Sequence, residues 1–477
     1  MQHLNLINAE WVAAAHTEPN LNPSDLDDMI GAAHWADAVL VNDAVQAARA
    51  AFPVWSHSVP AQRAEILDRI SRVILARKDE LGRLLSREEG KTLAEGIGEV
   101  TRAAQVFGFF AGEAMRGGGE WLPSLRPGIG VEVTREPLGV FALITPWNFP
   151  AAIPAWKIAP ALAHGNCVVF KPAELVPATA CALAQIIAES GLPPGVFNMV
   201  LGAGAVGGAL AAHAGVDAIS FTGSQATGAA VAQAALPRLA RLQLEMGGKN
   251  PQVVLDDADL DTAVNVCLQS AFFSTGQRCT AASRLIVTEG IHDRFVTALA
   301  TRVAALKVGH ALEAGIEIGP VVDARQLDKD VDAIERGRAE GAQLVCGGEQ
   351  FARATRGHFL APALFTATTN AMRLNREEIF GPIAAVIRVR DYDEALAVAN
   401  DTPFGLSAGI ATASLKHASH FKRHAQAGMV MVNVPTAGVD YHVPFGGRRG
   451  SNYGPREQGR MAAEFYTAVK TAYTLPA

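Results

Sequence analysis

The chain has 477 residues, of which 49% are hydrophobic and 18% are charged, and its formal net charge is -6. This length exceeds what one hydrophobic core usually serves, so we expect two or three domains, and the composition excludes a disordered chain. The acidic balance, with no lysine- or arginine-rich run, argues against nucleic acid and anionic membrane surfaces as partners.

The five cysteines, at positions 167, 181, 267, 279 and 346, form no CxxC pair and no Cys/His cluster with metal-ligand spacing. Such a sparse, odd set predicts reduced thiols and no metal site. Residues 1–8 lack a charged region followed by an apolar core, and no uncharged apolar stretch is long enough to span a bilayer. We therefore expect a cytoplasmic protein with no signal peptide and no membrane segment.

The first half of the chain begins with a helical pattern and then changes character. After Pro60, apolar side chains recur at three- and four-residue spacing up to residue 89, which predicts one long amphipathic helix. Three glycines at 117–119 then precede an alternating run at 131–136, which predicts an exposed, two-sided strand. A strand of this kind needs a partner to cover it, so we interpret the segment as an interface or a flap.

From residue 139 onward, short apolar runs alternate with helix-like segments, a pattern typical of parallel α/β units. The predicted strands fall into two sets, at residues 140–144, 167–170, 197–201, 218–221 and 242–244, and then at 252–255, 285–287, 383–389, 406–410 and 429–432. A helix is predicted at 178–189. The expected fold class is α/β, with two parallel-sheet domains and a small exposed β element.

Two segments are candidates for binding a nucleotide. Residues 202–207 match GxGxxG between a strand-like run and a helix, the context for a pyrophosphate, although the acid expected about twenty residues later is missing. A short glycine pattern also arises easily by chance in an Ala/Gly-rich chain. Lys171 and Glu174 flank Pro172 at a strand end, where α/β proteins bind nucleotides. The alternative is a solvated Lys/Glu pair.

Cys279 lies among small, polar and turn-forming residues, with Gly276 three positions earlier and Arg278 directly before it. Cys167, in contrast, lies in an apolar run. A nucleophilic thiolate favours partial exposure, nearby backbone N–H groups and a positive potential that lowers its pKa. Cys279 is therefore a candidate nucleophile, against the alternative that it is a small core residue.

Further motifs carry polar groups at strand and helix ends. Asn148 lies in 145–150, Glu245 in 244–251 and Glu378 in 376–382, and each has a bland alternative as a turn cap, a surface strand end or a helix-start acid. With the Cys279 segment and residues 444–449, these motifs in this order resemble the aldehyde dehydrogenase superfamily across essentially the whole chain. The resemblance is nearest to bacterial α-ketoglutaric semialdehyde (2,5-dioxovalerate) dehydrogenases, and it is carried further by residues 86–92, 441–445 and 453–460.

The resemblance implies NAD(P)-dependent oxidation of an aldehyde to a carboxylic acid through a cysteine thiohemiacetal and a thioester. It assigns the nucleophile to Cys279, the oxyanion donors to the Asn148 amide and the Cys279 N–H, and the general base to Glu245. Lys157 is the matching lysine beside the active site, with a proton-relay role. A base at position 245 favours a free-acid product over a CoA ester.

The substrate implied by the resemblance is α-ketoglutaric semialdehyde, which would be oxidised to 2-oxoglutarate. Phe149, Trp156 and Phe445 match the apolar tunnel of the family. Arg278 is the candidate cation for a substrate carboxylate, and the alternative is that it folds back under the loop as a structural residue. Succinic, glutaric or another semialdehyde is the alternative substrate, and a catalytically silent structural paralogue is a more remote alternative.

For the cofactor, the resemblance implies a dinucleotide laid across the strand ends. NAD is expected to be preferred because the Glu174 carboxylate at the ribose repels a 2′-phosphate. The preference is expected to be partial, because the neighbouring Lys171 is compatible with that phosphate. The implied contacts are Lys171 and Glu174 at the adenosine ribose, Gly202 and Gly207 near the adenine, Trp147, Gly223, Ser224 and Met246 along the dinucleotide, and Glu378 with Phe380 at the nicotinamide ribose.

The resemblance also implies the domain organisation. The cofactor-binding domain is expected at 1–119 and 138–246, the catalytic domain at 247–442, and an oligomerisation or bridging element at 120–137 and 443–477. The C-terminal segment has the pattern of an edge strand that pairs with a neighbouring subunit, so a homodimer or homotetramer is expected.

One segment departs from the family pattern. After the Phe-Gly-Gly sequence at 445–447, the wider family commonly has KxSGxG, whereas this chain has Arg-Arg-Gly-Ser-Asn-Tyr-Gly at 448–454. This departure touches the loop that leads into the C-terminal strand, and we expect the catalytic assignments to stand.

Overall fold

The strands form four sheets in a computed structural model that describes residues 1–476. Most are short, because a buried strand of four to six residues already crosses a domain core. They are β1 (Gln2–His3), β2 (Asn5–Ile7), β3 (Glu10–Val12), β4 (His16–Asn22), β5 (Asp25–Trp35), β6 (Glu120–Pro123), β7 (Gly130–Pro137), β8 (Val140–Ile144), β9 (Cys167–Lys171), β10 (Phe197–Met199), β11 (Ala218–Gly223), β12 (Arg241–Met246), β13 (Pro251–Val254), β14 (Arg284–Thr288), β15 (Gln343–Cys346), β16 (Ala363–Thr368), β17 (Ile383–Val389), β18 (Ser407–Ala411), β19 (Met429–Val432), β20 (Asn452–Tyr453) and β21 (Thr467–Thr474).

The helices connect these strands and cover the sheets. Several begin at an aspartate or serine whose side chain accepts a backbone N–H of the first turn, as Asp259 does from Thr262. They are α1 (Ala38–Trp55), α2 (Pro60–Ala76), α3 (Lys78–Glu89), α4 (Leu93–Ala114), α5 (Ala152–Ala163), α6 (Pro177–Ala188), α7 (Gly204–Ala212), α8 (Gln225–Ala235), α9 (Leu260–Phe272), α10 (Glu289–Ala304), α11 (Ala324–Ala339), α12 (Arg373–Arg376), α13 (Tyr392–Asn400), α14 (Leu415–His424) and α15 (Ala463–Tyr466).

The first large sheet has eight strands in the order β20-β12-β11-β8-β9-β10-β2-β3. Its five central strands are parallel, and antiparallel strands close both sides. Every residue of β8 and β9 is buried, which explains why both strands are continuous apolar runs in the sequence. The carboxyl ends of β8, β9, β10 and β11 therefore lie side by side along one edge.

The second large sheet has seven strands in the order β15-β16-β17-β14-β13-β18-β19, parallel except for β15. The predicted strands 383–389 and 429–432 are confirmed with the bounds of β17 and β19. The expected α/β class, with two mainly parallel sheets and a small β element, is confirmed. The domain boundaries stay a prediction.

Two small sheets complete the fold. The alternating segment at 131–136 lies within β7, which pairs with β6 on one side and β21 on the other. Both edges of this strand are therefore paired within the chain, while the small sheet remains largely exposed and its role as an interface stays a prediction. The other small sheet, β1-β5-β4, was not predicted. Within residues 1–476, we find no helix with the length and apolar character needed to cross a membrane.

The single long helix predicted for residues 60–89 is wrong in one respect. It is divided at Arg77, whose φ of -103° and ψ of 14° lie outside the helical region. Asp79 and Glu80 then occupy the first turn of α3, where acidic side chains stabilise a helix N-terminus. The apolar spacing continues through the break, so hydrophobic periodicity alone does not reveal it.

Phe141 on β8 provides a test of how the C-terminal segment is anchored. Its buried ring packs edge-on against Phe465 at 5.4 Å and stacks on Tyr466 at 5.0 Å. We expect Phe141→Ala to lower the free energy of unfolding by about 3–5 kcal/mol because it leaves a cavity. Urea denaturation followed by circular dichroism measures this. Val54→Ala, at an exposed position, should change it by less than about 0.5 kcal/mol. Equal losses would contradict this anchoring.

Candidate active site

A cleft of about 190 Å³ opens where the ends of β8, β11 and β12 face the loop that carries Cys279. Cys279 and Asn148 line it, together with six of the ten expected cofactor residues. Those six are Trp147, Gly223, Ser224, Met246, Glu378 and Phe380. The structure thus brings together, in one concave site, residues that are separated by more than two hundred positions in sequence.

The loop before Cys279 is held in an unusual backbone conformation. Ser274 and Thr275 have φ values of 52° and 56°, a left-handed region that is costly for residues other than glycine. A Cβ at Gly276, which has a φ of 65°, would overlap the carbonyl oxygen of Gly381, in the segment before β17. The Glu95 carboxylate fixes the turn by accepting the Ser274 N–H at 2.8 Å and its hydroxyl at 2.9 Å. The nucleophile candidate therefore lies at the end of a rigid turn.

Cys279 is partly exposed, as expected, but its pKa departs in the opposite direction from the sequence argument. Burial of the thiol raises its pKa to about 12, and the carboxylates of Glu378 and Glu245 raise it further. The backbone N–H groups of Cys279 and Thr280 oppose this shift. The pKa of this thiol is therefore raised rather than lowered, because burial, and after it the two carboxylates, outweigh the backbone N–H groups. A base must therefore take the thiol proton.

Asn148 is held by a buried ion pair beneath it. Its side-chain amide nitrogen donates to the Gln277 carbonyl at 2.9 Å, and its backbone carbonyl accepts from the Lys91 ammonium at 2.7 Å. Lys91 also donates to the Glu99 carboxylate at 2.6 Å. Glu99 in turn accepts the Ala151 N–H at 2.8 Å. This network fixes the backbone turn that presents the Asn148 side chain to the cleft.

Glu245 is only 2% exposed and makes no hydrogen bond with Cys279. One carboxylate oxygen, Oε1, accepts from the Asn452 amide, and Oε2 has no partner among residues 1–476. Burial raises the pKa of Glu245 well above its ordinary range, and the neighbouring Glu457 carboxylate raises it further, while Lys157 opposes the shift. The candidate base thus binds a proton more tightly than an ordinary carboxylate, and it is not hydrogen-bonded to the sulfur.

Lys157 lies beside Glu245 rather than on the cleft surface. It is fully buried, donates to the Ser220 hydroxyl at 2.7 Å and forms an ion pair with Glu457. Glu457 is 2% exposed and comes from the C-terminal segment. The sequence singled out residues 453–460 as a family motif without giving Glu457 a role. A buried Lys–Glu pair next to a carboxylate can carry a proton between them.

The remaining expected cofactor residues lie along the same sheet edge. Lys171 is 5% exposed, and its ammonium lies 3.8 Å from Glu174, so a solvated pair does not describe it. Burial lowers the pKa of Lys171. Glu174 also lies 3.8 Å from the Arg325 guanidinium, a neighbour that the sequence did not indicate. A Cβ at Gly207 would lie 3.8 Å from Lys171, whereas Gly202 has a φ of 144° and precedes α7.

Glu378 and Phe380 approach the cleft from the second large sheet. The Glu378 carboxylate accepts the Gly248 N–H at 2.8 Å, and a Cβ at Gly247 would overlap it. Glycine is therefore required at 247 while Glu378 lies there. Phe380 packs edge-on against Trp147 at 5.5 Å. The two sides of the cleft are therefore in contact at two places, the Glu378 carboxylate with the Gly248 N–H and the Phe380 ring with Trp147.

The four expected substrate residues lie outside the cleft lining. Trp156 and Phe445 pack together at 5.1 Å, and Phe149 lies beneath the Lys91 ammonium at 4.1 Å. The Arg278 guanidinium donates to a helix carbonyl, that of Gln269, which matches the alternative that it folds back. Its Nε, however, finds no acceptor within the described chain.

Two groups of site residues were missed in the sequence. Lys91, Glu95 and Glu99 recur at four-residue spacing, a pattern usually typical of a solvated helix face, yet all three point into the site. Asn452 belongs to the segment that departs from the family pattern. The departure does not change which residues are assigned to catalysis, but β20 pairs with β12 and places Asn452 opposite Glu245.

Comparison with known proteins agrees with this geometry. Residues 11–472 match the aldehyde dehydrogenase family. The chain is 43% identical to an α-ketoglutaric semialdehyde dehydrogenase of Bacillus subtilis (strain 168), over 99% of this chain and 98% of that protein. It is 42% identical to an α-ketoglutarate semialdehyde dehydrogenase of Haloferax volcanii, over 98% of both chains.

Solved structures show the same fold along the whole chain. The crystal structure of a betaine aldehyde dehydrogenase from Staphylococcus aureus in complex with NAD+ is similar with a TM-score of 0.97 and 34% identity, over 99% of this chain and 95% of that one. The family match covers nearly the whole chain, and the chain belongs to the aldehyde dehydrogenase family.

Proposed function

We propose that this oxidoreductase, which acts on aldehydes, converts α-ketoglutaric semialdehyde to 2-oxoglutarate with NAD, through a thioester on Cys279. The observation that carries the proposal is the shared cleft of Cys279, Asn148 and the expected cofactor residues. The buried carboxylate of Glu245 behind that cleft supports hydrolysis to a free acid. The semialdehyde dehydrogenases of similar sequence support the choice of substrate.

The residues present are compatible with NAD as the cofactor. The sheet edge offers an acid and a lysine at Glu174 and Lys171, and side chains added at Gly204 or Gly208 would meet no atom within 4 Å, so the backbone of α7 is open to a ligand. Glu378 and Phe380 would hold the nicotinamide end, and Trp147 would lie along the dinucleotide. NAD, when bound, accepts the hydride that leaves the substrate carbon.

In the first chemical step, the Cys279 sulfur attacks the aldehyde carbon and the thiol gives up its proton. Because the pKa of this thiol is raised, the proton must pass to a base as the C–S bond forms. The negative oxygen of the thiohemiacetal would be stabilised by the Asn148 amide and the Cys279 N–H. The Lys91–Glu99 pair supports this step by fixing the Asn148 backbone.

In the second chemical step, water attacks the thioester and releases the acid. We propose Glu245 as the base, with Oε2 as the accepting oxygen, since Oε1 is already bonded to Asn452. The raised pKa of Glu245 makes it a strong enough base to take a proton from water. Lys157 and Glu457 would then return that proton toward solvent through their buried pair.

Three further properties belong to the proposal. A homodimer or homotetramer is supported by β21, which forms an outer edge of its sheet and exposes Val469 and Tyr473. The boundaries given for the cofactor-binding and catalytic domains follow the two large sheets. Five free cysteines support a reducing compartment such as the cytoplasm.

Glu245→Gln tests the hydrolytic role. It should leave a first turnover of NADH formation partly intact and lower the steady-state rate by about 10²–10⁴-fold, because an amide cannot take the proton from water. Stopped-flow absorbance measures the burst, and intact mass spectrometry detects the acyl group on Cys279. Glu120→Gln, at an exposed position, is the matched control and should behave as wild type. Equal loss of the burst and the steady-state rate would contradict the assignment.

Arg278→Leu tests the anchor for a substrate carboxylate. If the guanidinium binds that carboxylate, KM for α-ketoglutaric and succinic semialdehydes should rise by about tenfold or more, with little change for propanal. Steady-state kinetics on this aldehyde panel measure the effect. Betaine aldehyde, which carries a positive charge, should be a poor substrate of the wild type. Equal changes for charged and uncharged aldehydes would leave Arg278 as a structural residue bonded to Gln269.

Glu174→Gln tests the choice between NAD and NADP. Removing the carboxylate should raise kcat/KM for NADP by about tenfold relative to NAD, since one repulsion of a 2′-phosphate is lost. Arg325 lies 3.8 Å from Glu174 and becomes free to pair with the phosphate. The double change Glu174→Gln with Arg325→Gln should therefore lose most of the gain. An unchanged cofactor ratio in the single variant would remove Glu174 from the ribose site.

A further inference from the structure

The segment that departs from the family pattern forms β20, a strand of two residues beside the candidate base. It pairs antiparallel with β12, so that Asn452 lies opposite Glu245 and Tyr453 lies opposite Leu244. Directly opposed residues of an antiparallel pair present their side chains on the same face. The backbone pairing thus fixes the Asn452 amide next to the Glu245 carboxylate, to which it donates.

The loop before β20 is anchored independently of Glu245. The Ser451 hydroxyl donates to the Gly247 carbonyl at 2.8 Å and accepts the Gly405 N–H at 3.0 Å. The Gln225 amide donates to the Gly450 carbonyl at 2.7 Å. These contacts hold the strand in place, so the position of the Asn452 side chain does not depend on its bond to the carboxylate.

The chain after β20 is anchored as well. The amide of Gln243, on β12, donates to the carbonyls of Pro455 and Arg456 at 3.2 and 3.1 Å. Asn452 therefore lies between two anchored stretches, and its amide nitrogen also donates to the Leu244 carbonyl at 3.4 Å, which helps to orient it. Preorganised donors of this kind cost little reorganisation during a reaction.

The charged groups around Glu245 are bonded to other partners, so none of them within residues 1–476 donates a hydrogen bond to its carboxylate. Glu457 repels it, while Lys157 and Arg456 attract it. Lys157 is already paired with Glu457 and bonded to Ser220, and Arg456 donates to a loop carbonyl. Of the groups bonded directly to the Glu245 carboxylate, Asn452 is the donor that the structure shows.

We propose that Asn452 is a positioning residue for Glu245: its amide holds Oε1 and stabilises the ionised carboxylate, so that Oε2 is the oxygen that takes the proton from water. This inference rests on the proposed hydrolysis of a thioester. It gives the departure from the family pattern a chemical role. It is also consistent with the buried Oε2, which has no partner in the described part of the chain and can accept the proton from water.

Two substitutions of Asn452 separate this role from simple packing. Asn452→Asp keeps the shape of the side chain but replaces the donor with a carboxylate, whereas Asn452→Ala removes the side chain. A hydrogen bond to the ionised form lowers the pKa of a carboxyl, so its loss should move the acidic limb of the kcat–pH profile upward by about one pH unit. The shift should be larger for the aspartate variant, which adds a like charge.

The rates of the two chemical steps provide the second measurement. In both variants the first-turnover burst of NADH should keep its amplitude, while on the acidic limb the steady-state rate falls by about tenfold in the alanine variant and further in the aspartate variant. Tyr453→Phe, on the same strand, is the matched control and should leave the burst, the steady-state rate and the pH profile unchanged.

The outcomes are distinguishable from failure of the proposed function. If the alanine variant loses burst and steady-state rate together, the aspartate variant is normal, and neither shifts the pH profile, then Asn452 has a packing role and the inference is overturned. If wild-type enzyme shows no acyl group on Cys279 with any semialdehyde and NAD, the proposed function itself fails. An upward shift of the acidic limb in the isosteric aspartate variant, with the burst retained, supports the inference.

Discussion

The chemistry of the site depends on one buried ion pair, between Lys157 and Glu457. Two carboxylates, those of Glu457 and Glu245, lie in a nearly dry region with a single fully buried ammonium group. Removing a charge from water costs several kcal/mol even after the protein relaxes, so an unpaired second carboxylate would be taken out of the ionised state. Lys157 satisfies Glu457, and Glu245 is left with a raised pKa. Without Lys157, both carboxylates would lose the buried ammonium group whose charge opposes the raised pKa of Glu245.

A second buried pair has the corresponding task on the other side of the cleft. Lys91 and Glu99 are nearly inaccessible to solvent, and their bonds end on the backbone around Asn148. Replacing such a pair with apolar side chains of similar volume is often neutral or stabilising in other proteins. Its use here is therefore better explained by geometry than by stability. An ammonium group that must bond both a carboxylate and one carbonyl leaves the turn few alternative positions, which an apolar contact would not enforce.

The sequence predicted the two large sheets, and it singled out Cys279 and Asn148, which the structure brings to one cleft, because both depend on local patterns. The buried strands are short apolar runs, and Cys279, Asn148 and Glu245 follow recognisable segments at strand or loop ends. The supporting residues could not be found in this way. Asn452 bonds Glu245 across 207 positions, and its role is visible only once β20 is seen to pair with β12. The direction of the Cys279 pKa was missed for the same reason, since both the burial that raises it and the carboxylates that add to it depend on distant segments.

The raised pKa values of Cys279 and Glu245 also order the two chemical steps. The Glu245 charge raises the pKa of the thiol, so by the reciprocity of electrostatic coupling a thiolate would raise the pKa of Glu245. A thiolate at Cys279 and an ionised carboxylate at Glu245 therefore disfavour each other. When the sulfur becomes part of a thioester it carries no charge, and that source of repulsion disappears. Glu245 then ionises more easily at the stage where water must be activated, and the Asn452 amide favours the same form. In the proposed mechanism, the Glu245 carboxylate thus becomes more available as a base once the Cys279 sulfur has formed the thioester.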